Sequence, residues 1–264
     1  MIQDVLEFAS ENAAKGRKVA LVTVTKTNES SPASPGQMIA VLADGTTMGT
    51  VGGGASEHHI IKKAVESMAS GESVFTFEID HAEKGMICGG SMEVFGNIIG
   101  NHTGLCIFGG GHIAQSLAKI ATLTGFFVTV VEDRPELEKD FEKVKYIVCK
   151  PEEYEKVDPL AYADYTVICT RGHSTDYEAL RYCLTKKLKY IGMIGSTPKV
   201  TELFGKLRTD GVTEETLESI YAPIGLDIAS AIPSEIAVAI LAEILLIKNN
   251  GKPKHKKFSL VAEA

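Results

Sequence analysis

The residues that could do chemistry in this chain sit where apolar runs give way to glycine or to charge. Gly109-Gly110-Gly111-His112-Ile113-Ala114 follows the run Leu105-Cys106-Ile107-Phe108. It fits G-x-G-x-x-G/A with Ala114 as the third small residue, a pattern that brings a strand-to-helix backbone turn close to a phosphate. The next apolar run, 127–131, ends in Glu132-Asp133-Arg134. Asp133 falls near the roughly 20-residue interval at which a carboxylate takes a ribose hydroxyl, and Glu132 beside it is the other candidate for that role. Arg134 leaves open a 2′-phosphate or another charged ligand, and a tight turn with no ligand is the plain structural alternative.

Two further polar segments, Thr170-Arg171-Gly172-His173-Ser174-Thr175-Asp176 and Gly195-Ser196-Thr197-Pro198-Lys199, each follow an apolar run. If those runs are parallel strands, ligands bind beyond their carboxyl ends. Arg171, His173, Gly195, Ser196 and Lys199 are then expected to face the same crevice as Gly109. The structural alternative has Thr175 or Asp176 capping a helix and Arg171 as a surface charge. Gly52-Gly53-Gly54 can turn successive N–H groups toward an anion, and simple turn flexibility accounts for it equally well. Cys88, within Met86-Ile87-Cys88-Gly89-Gly90, is placed for access and reactivity, although a lone cysteine is more often structural. Cys106, Cys149 and Cys169 lie in apolar runs as small hydrophobes. Five cysteines with no C-x-x-C pair form neither a disulfide framework nor a zinc site, and no metal ligands are assigned.

These segments need a frame. Helical periodicity over 2–14 and 56–69, with strands at 18–25, 37–42, 46–51, 73–79 and 91–99, predicts a mixed α+β domain over 1–101. Asp44-Gly45 supplies its hairpin turn. From 102 to 250 strands at 105–108, 127–131, 145–149, 165–170 and 189–194 alternate with helices at 112–124, 176–186, 198–209 and 233–248. That alternation predicts a Rossmann-like, doubly wound parallel sheet. The last helix opens on Pro233 and carries Ile236, Ile240, Ile244 and Ile247 at helical spacing. A basic tail occupies 251–264.

The chain has 264 residues, 44% of them hydrophobic and 23% charged, with a net charge of -7. This composition supports a core without staples, and the negative balance argues against a nucleic-acid partner. Asp4, Glu7, Glu11, Lys15 and Arg17 interrupt the start of the chain, unlike a secretory leader. No apolar run reaches the roughly 18 residues of a membrane span. A soluble, cytoplasmic protein is expected.

Taken together the motifs resemble the xanthine dehydrogenase accessory factor (XdhC/CoxI) family. The resemblance rests on Ser30-Ser31-Pro32 with Pro35-Gly36, on 49–54, on 86–90, and on the Gly109 turn with Glu132-Asp133-Arg134-Pro135. It continues through Thr170–His173, Ile194-Gly195-Ser196 and Ala222–Ile228. It implies a protein that binds molybdenum cofactor (molybdopterin, or its dinucleotide form), helps a cysteine desulfurase to sulfurate it, and delivers it to a molybdenum hydroxylase of the xanthine dehydrogenase type. A homodimer is implied by the same resemblance. Ala55 stands where the family has Cys, and Ala33 where it has Arg, so Cys88 is the one motif thiol. On this reading the phosphate end of the cofactor rests on Gly109–Gly111, and its pterin and metal end lies near Cys88, Ser31 and Gly36. The rival reading is an NAD(P)-dependent oxidoreductase using the same turn, with His173 as proton donor. A nucleotide-sensing regulator without chemistry is the third.

Overall fold

Strands bury alternate residues where only one face of a sheet is covered, as Ser91–Ile99 does, whereas Met38–Leu42 is buried on both faces. In a computed structural model, residues 2–28, 33–80, 91–100, 103–228 and 231–254 are described. The chain divides into two units, Met1–His102 and Thr103–Ala264. The first contains α1 (Ile2–Ala14), β1 (Val19–Thr27), β2 (Met38–Leu42), β3 (Thr47–Gly49), α2 (Gly54–Ser70), β4 (Val74–Asp80) and β5 (Ser91–Ile99). Its sheet has the order β3-β2-β1-β5-β4, with every neighbouring pair antiparallel. Ala20, Val22 and Val24 of the central strand gather on one face with Ile60, Ala64 and Met68 of α2. Val19 points the other way, where Ala40 and Leu42 meet Val5 and Ala9 of α1.

The Asp44-Gly45 hairpin forms as the sequence predicts. Gly45 adopts φ +83, and Asp44 Oδ1 accepts the Thr46 N–H at 2.9 Å. Strand β1 runs to Thr27, beyond the expected 18–25, because an irregularity between Val24 and Lys26 keeps it in register with β5.

The second unit contains β6 (Thr103–Phe108), α3 (His112–Leu123), β7 (Phe126–Glu132), β8 (Lys145–Val148), α4 (Tyr154–Val157), β9 (Tyr165–Ile168), α5 (His173–Leu184) and β10 (Tyr190–Met193). It continues with α6 (Thr197–Thr209), α7 (Glu214–Glu218), β11 (Ile220–Tyr221) and α8 (Pro233–Lys248). All ladders are parallel, in the order β11-β10-β9-β6-β7-β8. Leu105 and Ile107 of β6 gather with Leu117 of α3 and with Ile240 and Ile244 of α8. Cys106 and Phe108 gather with Leu180 and Cys183 of α5 and Leu203 of α6 on the opposite face. Helices cover both faces, which is the doubly wound arrangement the alternating pattern predicts. The strand order reverses between β6 and β9, so their carboxyl ends flank the switch-point crevice.

Short elements depart from the sequence reading. Helix α5 begins at His173, three residues before the expected 176, because Gly172 takes the N-cap position in extended backbone. Elements α4, α7 and β11 carry too few residues for a periodic signal, and β11 is recognisable only through its pairing with Ile191 and Gly192. Among the described residues no helix is long and apolar enough to cross a membrane.

The two sides of α8 differ in a measurable way. Ile240 is fully buried and Val238 is half exposed. Ile240→Ala should cost about 2–5 kcal/mol through lost burial and a residual cavity, and Val238→Ala within about 0.5 kcal/mol. Denaturant unfolding of both variants checks this, and similar losses for the two would contradict the helix orientation.

Candidate functional site

The crevice at the end of the parallel sheet is built from a turn that only glycine can make. Gly109 has φ +114, and a Cβ there would come within 2.4 Å of the Cys169 carbonyl oxygen and 3.1 Å of Thr170 Cα. Its N–H donates to Val131 O at 2.8 Å, tying the turn to the end of β7. At Gly110 an added Cβ would meet Glu132 and Leu137 at 3.0–3.2 Å. Gly111, the N-cap of α3, is in ordinary extended backbone, and a Cβ there would touch nothing within 4 Å. Ala114 is buried where α3 meets the sheet, the close approach for which its position needs a small residue. The first-turn N–H groups of α3 have no acceptor within their own helix, and the helix dipole adds a positive end there.

Glu132 and Asp133 part company. The Glu132 side chain is 5% exposed. Its carboxylate accepts from Gly110 N at 2.6 Å, Asp133 N at 3.0 Å, and both Nε and Nη2 of Arg134 at 2.9 Å. Burial pushes this carboxyl up, but the hydrogen bonds from Arg134, Asp133 and Gly110 and the Arg134 charge outweigh it. They hold it at about 2, against an ordinary 4.5. Asp133 lies further out, its side chain 28% exposed, and pairs with Arg171 Nη2 at 2.6 Å. The neighbouring Glu132 carboxyl and partial burial push the Asp133 carboxyl up, against the opposing pull of Arg171. Arg134, the candidate for a 2′-phosphate, is thus gripped by Glu132 through two bonds.

Beyond β9, Asp176 is fully buried. It accepts from Thr170 N at 3.1 Å and Thr170 Oγ1 at 2.7 Å, and it pairs with Lys199 of α6. Lys199 Nζ also reaches Ile194 O at 3.4 Å. Lys199 is therefore held sideways between the ends of β9 and β10. The crevice is open to solvent and lined by Gly109, Val131, Glu132, Asp133, Cys149, Pro151, Tyr154, Thr170, Arg171 and Thr175. His173 sits exposed at the start of α5 and Ser196 exposed at the N-cap of α6, both outside that lining, as is Gly195. Cys149, Pro151 and Tyr154, which close the β8 side, are not singled out by the sequence. They follow a short strand, and proximity across a parallel sheet leaves no spacing signal.

In the first unit Gly52, Gly53 and Gly54 all have positive φ, between +66 and +107. Their turn is bound by the chain itself. Glu57 Oε1 accepts from Val51 N at 3.1 Å, Gly53 N at 3.0 Å and the Thr50 hydroxyl. Gly36 has φ +88 and donates to Val24 O. Ser31 and Cys88 lie outside the described residues.

Two stretches of this chain match known family models, residues 105–244 the XdhC Rossmann domain and residues 13–80 the XdhC and CoxI family. The chain belongs to the XdhC and CoxI family. Its similarity to YqeB of Escherichia coli (strain K12) is 29% identity over 252 residues, 89% of this chain and 46% of that protein. A probable xanthine dehydrogenase subunit of Bacillus subtilis (strain 168) is 29% identical over 144 residues, 53% of this chain and 42% of that protein. The chain thus spans less than half the length of either relative. A crystal structure described as a xanthine dehydrogenase from Bacillus halodurans shares the fold, with a TM-score of 0.51 at 20% identity over 94% of this chain and 96% of that one.

In this XdhC/CoxI chain the segment 222–228 is anchored rather than free. Ile224 N donates to Met193 O at 3.1 Å, and Gly225 N donates to Glu243 of α8, which also accepts from buried Tyr190. Ala55 is exposed in the first turn of α2. Burial raises the Cys149 thiol to about 11 and the Cys169 and Cys183 thiols to about 12, and it raises Cys106 as well.

Two outcomes follow from these environments. The depressed Glu132 carboxyl contributes stability that is present above its ordinary 4.5 and lost as pH falls through about 2. Glu132→Gln should therefore cost about 3 kcal/mol at pH 7. The gap from the wild type should close between about pH 5 and 2, read by denaturant unfolding across that range, and a gap constant with pH would contradict the assignment. Brief alkylation near pH 8 should leave Cys106, Cys149, Cys169 and Cys183 unmodified. Peptide mass spectrometry showing any of the four modified would overturn their inert character.

Proposed function

We propose that this chain is an accessory protein for a molybdenum hydroxylase of the xanthine dehydrogenase type, and that its second unit holds the phosphate-bearing end of molybdenum cofactor. The observation that carries the reading is a switch-point crevice lined by Gly109 and Asp133, with open space beside Gly111 where the same glycine turn enters α3. A phosphate on the α3 N–H groups and a ribose on Asp133 fit that arrangement, which suits the dinucleotide form of the cofactor. Support for the client class comes from membership of the XdhC and CoxI family and from the names of the Bacillus relatives.

When bound, the cofactor supplies the redox-active metal that the client hydroxylase uses. This chain's residues would hold and orient it. The family resemblance implies a cysteine desulfurase as the source of sulfur and a homodimer as the working assembly. With Ala55 in place of the family's Cys, any sulfur relay on this chain would rest on Cys88. The oxidoreductase alternative uses the same turn for NAD(P) with His173 as proton donor, and His173 is exposed at the start of α5, outside the crevice lining.

Protein purified from cells making molybdenum cofactor should carry a pterin, detected by fluorescence after oxidation. Gly111→Val should fold, because its Cβ enters open space, and should lose the pterin, because the branched side chain stands where a phosphate approaches. Full retention by folded Gly111→Val, or steady NADH oxidation with pterin-free protein, would sink this reading.

A further inference from the structure

Because β6 lies between β7 and β9, a contact from the end of β7 to the end of β9 must cross the end of β6 and the Gly109 turn. Asp133, following β7, and Arg171, following β9, make such a contact at 2.6 Å. Both line the crevice, and among its described lining residues Arg171 is the only cation. The two arginines nearby are held differently. Arg134 is fixed by two bonds to a buried carboxylate, whereas the Arg171 side chain is 58% exposed and its ion pair among the described residues is the one to Asp133. Arg171 can therefore swing away with little loss, since exposed ion pairs are worth little. Asp133 cannot be left bare as easily, because the ionised Glu132 carboxylate adjoins it.

We propose that the Asp133–Arg171 pair is a latch across the switch point, which selects ligands offering a replacement to each partner at once. The vicinal hydroxyls of a ribose replace the guanidinium at Asp133, and a phosphate replaces the carboxylate at Arg171. The class that satisfies both is a nucleoside diphosphate, free or as one half of a dinucleotide. A nucleoside alone must part the pair and leave Arg171 without an anion. Pyrophosphate alone draws Arg171 off and leaves Asp133 uncompensated beside Glu132. This inference rests on the nucleotide reading of the crevice and adds to it a selection rule located in two side chains.

Calorimetric titration of the full chain tests the rule with adenosine, ADP, cytidine, CDP and inorganic pyrophosphate, using the wild type, Arg171→Gln and Asp133→Asn. Circular dichroism confirms the fold of each variant. With whichever base binds, Arg171→Gln should bind the nucleoside about threefold more tightly, since no ion pair need be broken. It should bind the diphosphate at least about tenfold more weakly, having lost a charged hydrogen bond. The two shifts have opposite signs, which loss of a merely structural salt bridge would not produce. Asp133→Asn should tighten pyrophosphate several-fold by freeing Arg171. Parallel shifts for nucleoside and diphosphate, or unchanged nucleoside affinity in Arg171→Gln, would overturn the latch alone. Failure of the wild type to bind any nucleotide would overturn the nucleotide reading and the latch with it.

Discussion

A carboxylate with little access to water loses hydration that only strong donors can replace, and Glu132 has four of them, two on each oxygen. Much of the crevice follows from that arrangement. The Gly110 N–H is drawn to the end of β7, so the glycine turn is fixed from a neighbouring strand as well as by its own φ. Arg134 is held in place, and the turn at Pro135–Asp140 leaves the strand in a set direction while Tyr146 bonds the Arg134 carbonyl. With Glu132 turned inward, Asp133 is the acid left facing the crevice mouth. Charged donors to a charged acceptor form the stronger class of hydrogen bond, which is why Glu132 is held ionised while its neighbour is pushed up.

The far side of the crevice uses the same device. Asp176 is buried inside the first helical turns of α5, reaches back to Thr170 and takes a lysine from α6. A buried ion pair contributes little to net stability on its own. What it does here is fix geometry, since the ends of β9 and β10 and two helix starts share one carboxylate. Thr170 and Arg171 are thereby presented to the crevice from a rigid base, and Lys199 is withdrawn from it.

The parallel sheet was legible in the sequence because each of its longer strands is an apolar run that ends in glycine or charge, with a helix of ordinary length behind it. The Gly109 turn was legible for the same reason, as a local pattern. Roles that depend on partners distant in sequence were not. Nothing near position 132 says that its carboxylate turns back to Gly110 while the next residue reaches Arg171. Lys199 follows a strand end and so resembles a crevice cation, yet Asp176, set at helical spacing on another element, holds it. His173 falls in a loop on sequence grounds because the Gly172 cap lacks a side chain that would mark a helix start. Cys149, Pro151 and Tyr154 come together only through the β7–β8 pairing.

The two glycine triplets show how far composition alone can be taken. Both follow a strand and precede a helix, and from sequence both could face an anion. At 52–54 the helix supplies its own anion within one turn, because Glu57 lies close enough to reach Val51, Gly53 and Thr50 at once. An incoming phosphate would have to displace that carboxylate against three donors and the α2 dipole. At 109–111 the corresponding carboxylate comes from a strand next door and binds only Gly110 among the glycines, leaving Gly111 and the start of α3 facing open space. The distance in sequence between glycine and acid therefore separates a turn that is closed on itself from one that can receive a ligand.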